Sequence, residues 1–268
     1  MRNPLFRKLR AVAQRDLLTT VRGSTGIVLR FLFVGIELAT FYFLARAVGP
    51  TFRPEGLDYF WFLLTGTAVF ELLLASAQTL IRTLRDAQIS GMLEVLLSTS
   101  TRAVVVILLD SLSTLAGRVA HAVVYISLGV LLFRPQLPNP NWLATLLILL
   151  LAVTLSVAIG LAASAVQIWL QKGDSAIALF SGLLALFSGV LFSVQALPPW
   201  LRVIADANPF AHALFGIRAA ALKGAPWSEL YPTLLVLGAF CAVLVPLGLW
   251  LFAFALARAR RTGSLLFY

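Results

Sequence analysis

Four ionisable side chains stand inside long apolar runs of this chain: Glu37, Glu71, Arg118 and His121. A charge at bilayer depth is costly, so such residues need a partner, a water-lined path or a proton to exchange. Arg118 and His121 are three apart and share a helical face. Counted at about 1.5 Å per residue from the helix ends, all four fall near the midplane of their runs. Three kinds of chemistry are open to them: an ion pair that fixes helix register, a polar lining that selects cargo or gates a path, and proton relay through His121. Arg118 is expected to pair with Glu71, because consecutive runs pack as antiparallel neighbours, with Glu37 close enough to join.

Other chemistry has no basis in the spacing. His121, His212 and Cys241 are widely scattered, so neither a nucleophile with its base nor a metal set emerges. With one cysteine, no intrachain disulfide is possible. Lys8, Lys172 and Lys223 are followed by Leu, Gly and Gly, so no phosphate-cradling G-x-x-x-x-G-K-[ST] loop exists. The reading is of a non-enzyme that binds no cofactor itself.

The elements that must hold these residues are apolar helices. Of 268 residues, 60% are hydrophobic and 12% charged, against about 25% charged in a soluble domain. Six apolar runs are long enough to cross a hydrocarbon core of roughly 30 Å: 27–48, 59–81, 103–133, 142–170, 175–197 and 230–257. They are continuous and lack the alternation of barrel strands. The expected fold is therefore an all-α membrane protein with six transmembrane helices.

The net charge of +10 comes mostly from short segments between the runs, not from a polar domain, which argues against nucleic acid. Basic residues cluster before the first run (Arg2, Arg7, Lys8, Arg10, Arg15, Arg22), between the second and third (Arg82, Arg85, Arg102), after the fourth (Lys172) and at the end (Arg258, Arg260, Arg261). By the positive-inside rule both termini are expected to be cytoplasmic, in a multi-pass protein of the inner (plasma) membrane. No signal peptide is readable, since the first apolar run starts only at Ile27 and is too long.

Four further segments carry a pattern. In residues 1–25, Leu5, Leu9 and Val12 fall on one helical face and Lys8, Arg15 and Arg22 on another, as in an amphipathic helix lying in the interface. The rest, 26–268, reads as the six-span domain. Its loop 82–102 holds Met92, Leu93, Leu96 and Leu97 on one face; this patch either receives a partner or packs back on the helix ends. The connection 198–229 carries Pro198, Pro199, Pro209 and Pro226 with Trp200, Phe210 and Trp227. It is too apolar for a free loop and too broken for a full span, so short helices dipping into the outer interface are expected. Within the fifth run, Ala178, Gly182, Ala185 and Gly189 form a small-residue stripe that lets backbones approach closely, either at a dimer or pathway face or against another helix of the same chain.

The stretch Gly91-Met92-Leu93-Glu94-Val95-Leu96-Leu97-Ser98-Thr99 is similar to the G-T-L-E-x-L-L-x-T-P segment of ABC-2 type ABC transporter permeases. Ser188-Gly189-Val190-Leu191-Phe192, Leu197-Pro198-Pro199-Trp200-Leu201, and Asn208-Pro209 followed by Arg218 resemble that family's S-G-V-x-F, L-P-x-W-L and N-P motifs ending in Arg. The resemblance covers nearly the whole chain, in the right order around the expected topology. Met92 departs from the usual Thr and Ser100 from the usual Pro, so the end of the loop helix differs from the pattern.

The resemblance implies the permease subunit of an ATP-driven transporter, an exporter that works as a dimer, most simply a homodimer. A separate ABC ATPase subunit would bind ATP and Mg, and contact the coupling helix around Arg85, Gly91, Leu93, Glu94, Leu96 and Leu97. It also implies that the fifth span borders the central path, and that Pro198, Trp200, Asn208 and Pro209 belong to a re-entrant outer segment. The competing reading is a proton-coupled secondary carrier using Glu37, Glu71 and His121. Carriers of that class show repeats and spans interrupted at midplane, and this sequence has no such pattern.

Overall fold

The computed structural model describes residues 24–89, 103–133, 139–170 and 174–262. The amphipathic segment 1–23 and the loop stretch 90–102, with Gly91, Leu93, Glu94, Leu96 and Leu97, lie outside the described residues. Among the described residues the chain is helical and has no strand. Its helices are α1 (Ser24–Val48), α2 (Tyr59–Ile89), α3 (Ala103–Phe133), α4 (Trp142–Leu170), α5 (Asp174–Phe187), α6 (Pro199–Asp206), α7 (Pro209–Leu222) and α8 (Trp227–Thr262).

Among the described residues, three helices are long and apolar enough to cross a membrane, over Tyr59–Thr79, Trp142–Ile168 and Trp227–Arg258. The helices α1 and α3 coincide with the first and third expected runs. The fifth run differs. A single span over 175–197 is expected from hydropathy, but α5 stops at Phe187, and its 14 residues reach only roughly 21 Å. The chain then turns at Gly189, whose φ of +73° suits glycine, and enters a 3-10 turn at Val194–Ala196.

The bundle is built around α4, which packs against α2, α7 and α8. The main core joins Phe70 and Leu73 of α2, Ile148 and Leu155 of α4, Phe210, Leu214 and Ile217 of α7, and Leu237 of α8. A second cluster, with Val34, Leu38, Phe60, Leu64 and Tyr125, holds α1 and α3 against α2. Two of these helices' backbones meet unusually closely at each of two glycines. A Cβ on Gly160 would lie 2.6 Å from the Ala77 carbonyl oxygen, and one on Gly248 would lie 2.5 Å from that of Ala158. Small residues let helices meet this closely, and dispersion then holds them where lipid competes for apolar contact. The Ser156 hydroxyl adds a bond to the Leu73 carbonyl across α2 and α4.

Trp142, Trp200 and Trp227 sit at the starts of α4, α6 and α8, all exposed and all toward one end of the bundle. An indole with an apolar body and one N–H donor suits the level of lipid headgroups. Asn141 fixes that end locally. Its Oδ1 caps the Ala144 amide at 3.2 Å, and its own amide donates to the Ala220 carbonyl at 2.9 Å, tying the start of α4 to the end of α7.

Candidate functional site

The motif fragments of the last third of the chain converge on one side chain. Arg218 of α7 is 1% exposed and lies among the largest fully buried side chains. Its Nη1 donates to the Gly189 carbonyl at 2.8 Å, and its Nη2 to the carbonyls of Phe62 at 2.9 Å and Val190 at 3.2 Å. Its guanidinium carbon lies 3.5 Å from the centroid of the Phe62 ring. Glu55 stands 3.6 Å from Nη1, with both side chains nearly inaccessible. A planar fork can serve several carbonyls and a ring face at once, which an ammonium cannot.

This arrangement gives a physical reason for the break after α5. The Gly189 and Val190 carbonyls that a continuing helix would have used internally are satisfied by Arg218 instead. Ser188 closes the last turn by donating to the Leu184 carbonyl. The small-residue stripe is corrected accordingly: Gly189 has left the helix, and only Gly182 and Ala185 of its described members stay on the α5 face. Ala178 is in α5, but its side chain lies outside the described residues.

Asn208 explains the N-P motif. Its Oδ1 accepts from the Phe210 amide at 3.0 Å as the N-cap of α7, with Pro209 at the first helical position where no N–H is needed. Its Nδ2 donates to Ser188 Oγ at 3.0 Å, joining α7 to the end of α5. The L-P-x-W-L stretch is folded by Arg202, which donates from Nε to the Leu197 carbonyl at 2.8 Å and from Nη2 to that of Gln195. Pro198 and Trp200 themselves are exposed at the start of α6.

Glu55 adopts φ 55°, the left-handed region, immediately before Gly56 at φ 76°. A non-glycine residue held there stores strain, and the Arg218 pair is what offsets it. Burial pushes the Glu55 carboxyl above its ordinary value, and the neighbouring Arg218 pulls it part of the way back. Burial also lowers the Arg218 guanidinium to about 10, against the opposing pull of Glu55. A cavity of about 170 Å³ adjoins the pair, lined among others by Ser193, Gln195, Asp206 and His212.

The intramembrane residues form a second place. Glu71 of α2 and Arg118, His121 and Tyr125 of α3 line a cavity of about 20 Å³, room for one water. Glu37 of α1 lies within electrostatic range of Glu71 and Tyr125. The expected Glu71–Arg118 ion pair is not formed in the single chain: among the described residues, no Arg118 nitrogen lies within 4.0 Å of a Glu71 carboxylate oxygen. Both side chains are exposed in the single chain, so its own packing does not press one against the other. Arg85 lies near the end of α2, the approach to the coupling stretch.

Sequence reasoning did not reach Glu55, Phe62, Gly66, Gly160 or Gly248. The glycines inside α2, α4 and α8 are a signal that could have been used, because a glycine within an apolar helix marks close packing. Gly66 shows this at the Arg218 site, where a Cβ would lie 2.7 Å from the Val190 carbonyl oxygen. Glu55 in a loop gave no such signal.

No curated protein matches the chain. The family model described as the ABC-2 type transporter matches residues 7–222, which takes in the loop stretch, the broken segment after α5 and Arg218. The chain belongs to the ABC-2 type transporter family and is an integral membrane transport permease.

Proposed function

We propose that this chain is the membrane half of an ATP-driven exporter. Two copies form the path, and separate ABC ATPase subunits, which bind ATP and Mg, drive it. The observation that carries the reading is the family match over 7–222, which spans the segment similar to the coupling helix of such permeases. In this reading the chain crosses the inner membrane six times with both termini cytoplasmic, in line with its basic flanks. Residues 1–25 lie in the interface. Arg85, Gly91, Leu93, Glu94, Leu96 and Leu97 meet the ATPase, and its closure on ATP rocks the spans between inward and outward access. Gly182 and Ala185 face the second copy. Glu37, Glu71, Arg118 and His121 give the path a polar lining, for which the exposure of the last three in the single chain, with Glu37 half-buried, is the support. The family membership lends no support to the proton-coupled carrier, and that reading is dropped.

The test is co-expression with an ABC ATPase, sought first in the reading frames that neighbour this one. The wild-type chain should co-purify with it, two copies of each, and sustain ATP-dependent efflux in vesicles. L96D and L97D together should abolish both while leaving the permease folded. Uphill transport by the chain alone on an ion gradient, without nucleotide, would overturn the proposal.

A further inference from the structure

An apolar cavity of about 490 Å³ lies within one chain, between α2, α4, α5 and α8. That is within the size range of sites for drug-sized ligands, and about three times an apolar cavity known to take benzene. Its cause is the same small-residue packing that brings the backbones together. Ala77, Ala158 and Gly248 hold α2, α4 and α8 in contact, while Ala162 and Ala163 leave space that larger residues would fill. Leu74, Ile159, Leu184 and Leu247 form the walls, and no charged side chain lines the space.

The polar side chains of the lining are Gln78, Gln167 and Ser181. Gln167 is 96% buried (4% exposed), lines the cavity, and its Oε1 has no hydrogen-bond partner among the described residues. An amide oxygen left unsatisfied in an apolar setting is costly, so a donor brought to it gains more than it would in water. The contact of Gly160 with Ala77 sets the register of α2 beside α4. On that register Leu74 and Gln167 are about ten residues apart along the bundle, or roughly 15 Å. The space is thus elongated, mainly apolar and uncharged, with the Gln167 side chain, its Oε1 just beneath the surface, at one end.

We propose that this cavity binds a neutral, elongated apolar molecule that carries one hydroxyl or amide donor at its end, taken up from the surrounding bilayer. The apolar body fills the space between the four helices, and a turn of the Gln167 side chain brings its Oε1, closed off in the empty cavity, to the donor. A molecule of this kind concentrates in the membrane. A charged headgroup is excluded from the site, because nothing in the lining would pair with it. The inference goes beyond the transport reading and needs neither ATP nor an ATPase partner.

The probe is a diazirine-bearing 1-hexadecanol, compared with a diazirine-bearing hexadecane, on the full chain in phosphatidylcholine nanodiscs. Sites of photolabelling are mapped by peptide mass spectrometry. The alcohol should label α2, α4, α5 and α8 at the cavity, and unlabelled 1-hexadecanol should compete it away. Q167L should weaken the alcohol about tenfold, to the level of the alkane, while leaving the alkane unchanged. A162F should remove both. Circular dichroism and size-exclusion elution report whether A162F folds; if it does not, the Q167L comparison decides alone. Labelling spread over the lipid-facing surface, uncompeted, or equal for alcohol and alkane in the wild type would overturn the proposal.

Discussion

The Arg218 site makes the sharpest demand on the structure. In Arg218→Leu the Glu55 carboxylate loses its partner at 3.6 Å, and the Gly189 and Val190 carbonyls lose their donors. Stranding one member of a buried ion pair costs about 3 to 5 kcal/mol. Each lost bond to a charged donor is worth roughly 1.5 to 3 kcal/mol, but these losses overlap and are not additive. A total near 4 kcal/mol is expected, which for a chain of this size lowers the unfolding midpoint by about 8 to 16 °C. The assay is thermal unfolding in one detergent, followed by tryptophan emission and by loss of the monodisperse elution peak. Arg218→Lys should fall in between, because it keeps the charge but loses the fork and the stacking on Phe62. Glu55→Ala combined with Arg218→Leu should be less damaging than the two losses summed, by about 1 kcal/mol or more. A midpoint for Arg218→Leu within about 2 °C of wild type would refute the assignment of Arg218 as the pin of this end.

Three further outcomes follow from the same geometry. Burial raises the Glu55 carboxyl, so the folded chain holds that proton more tightly than the unfolded one; the contribution is full below the ordinary value of 4.5 and is lost as pH rises through the raised folded value. The wild-type midpoint should therefore fall relative to that of Glu55→Gln as pH rises from there, and parallel profiles would contradict it. Gly160→Leu should destabilise by about 1 to 3 kcal/mol or more, because even its Cβ meets the Ala77 carbonyl. Gly182→Ala meets nothing within 4 Å and should stay within about 0.5 kcal/mol, as the same unfolding assay will report. A double-mutant cycle of Glu71→Gln and Arg118→Gln should give a coupling below about 1 kcal/mol, since the two share a cavity without pairing; a larger value would restore the direct pair.

The legibility of the sequence differed from residue to residue, for physical reasons. Asn208-Pro209 could be recognised because capping and the first helical position select those residue types locally, and the structure uses both in that way. The break after α5 was not readable from hydropathy, because Ser188, Gly189 and Val190 sit inside an apolar run. The carbonyls that depart from the helix there are satisfied by a guanidinium about thirty residues later. The pairing of Arg118 with Glu71 was inferred from neighbouring spans alone, which fixes a shared face but not a side-chain distance.

What the sequence determined by itself is the solvent the chain must live in and the order of its helices. Both depend on composition and on hydrophobic runs along the chain, and these need no knowledge of what touches what. The tertiary structure alone decided that Glu55 and Arg218, 163 positions apart, share one buried site, and that four helices leave an uncharged space against Gln167. Such contacts arise when the helices pack side by side. Their register is set by glycine-to-carbonyl approaches that no local pattern encodes.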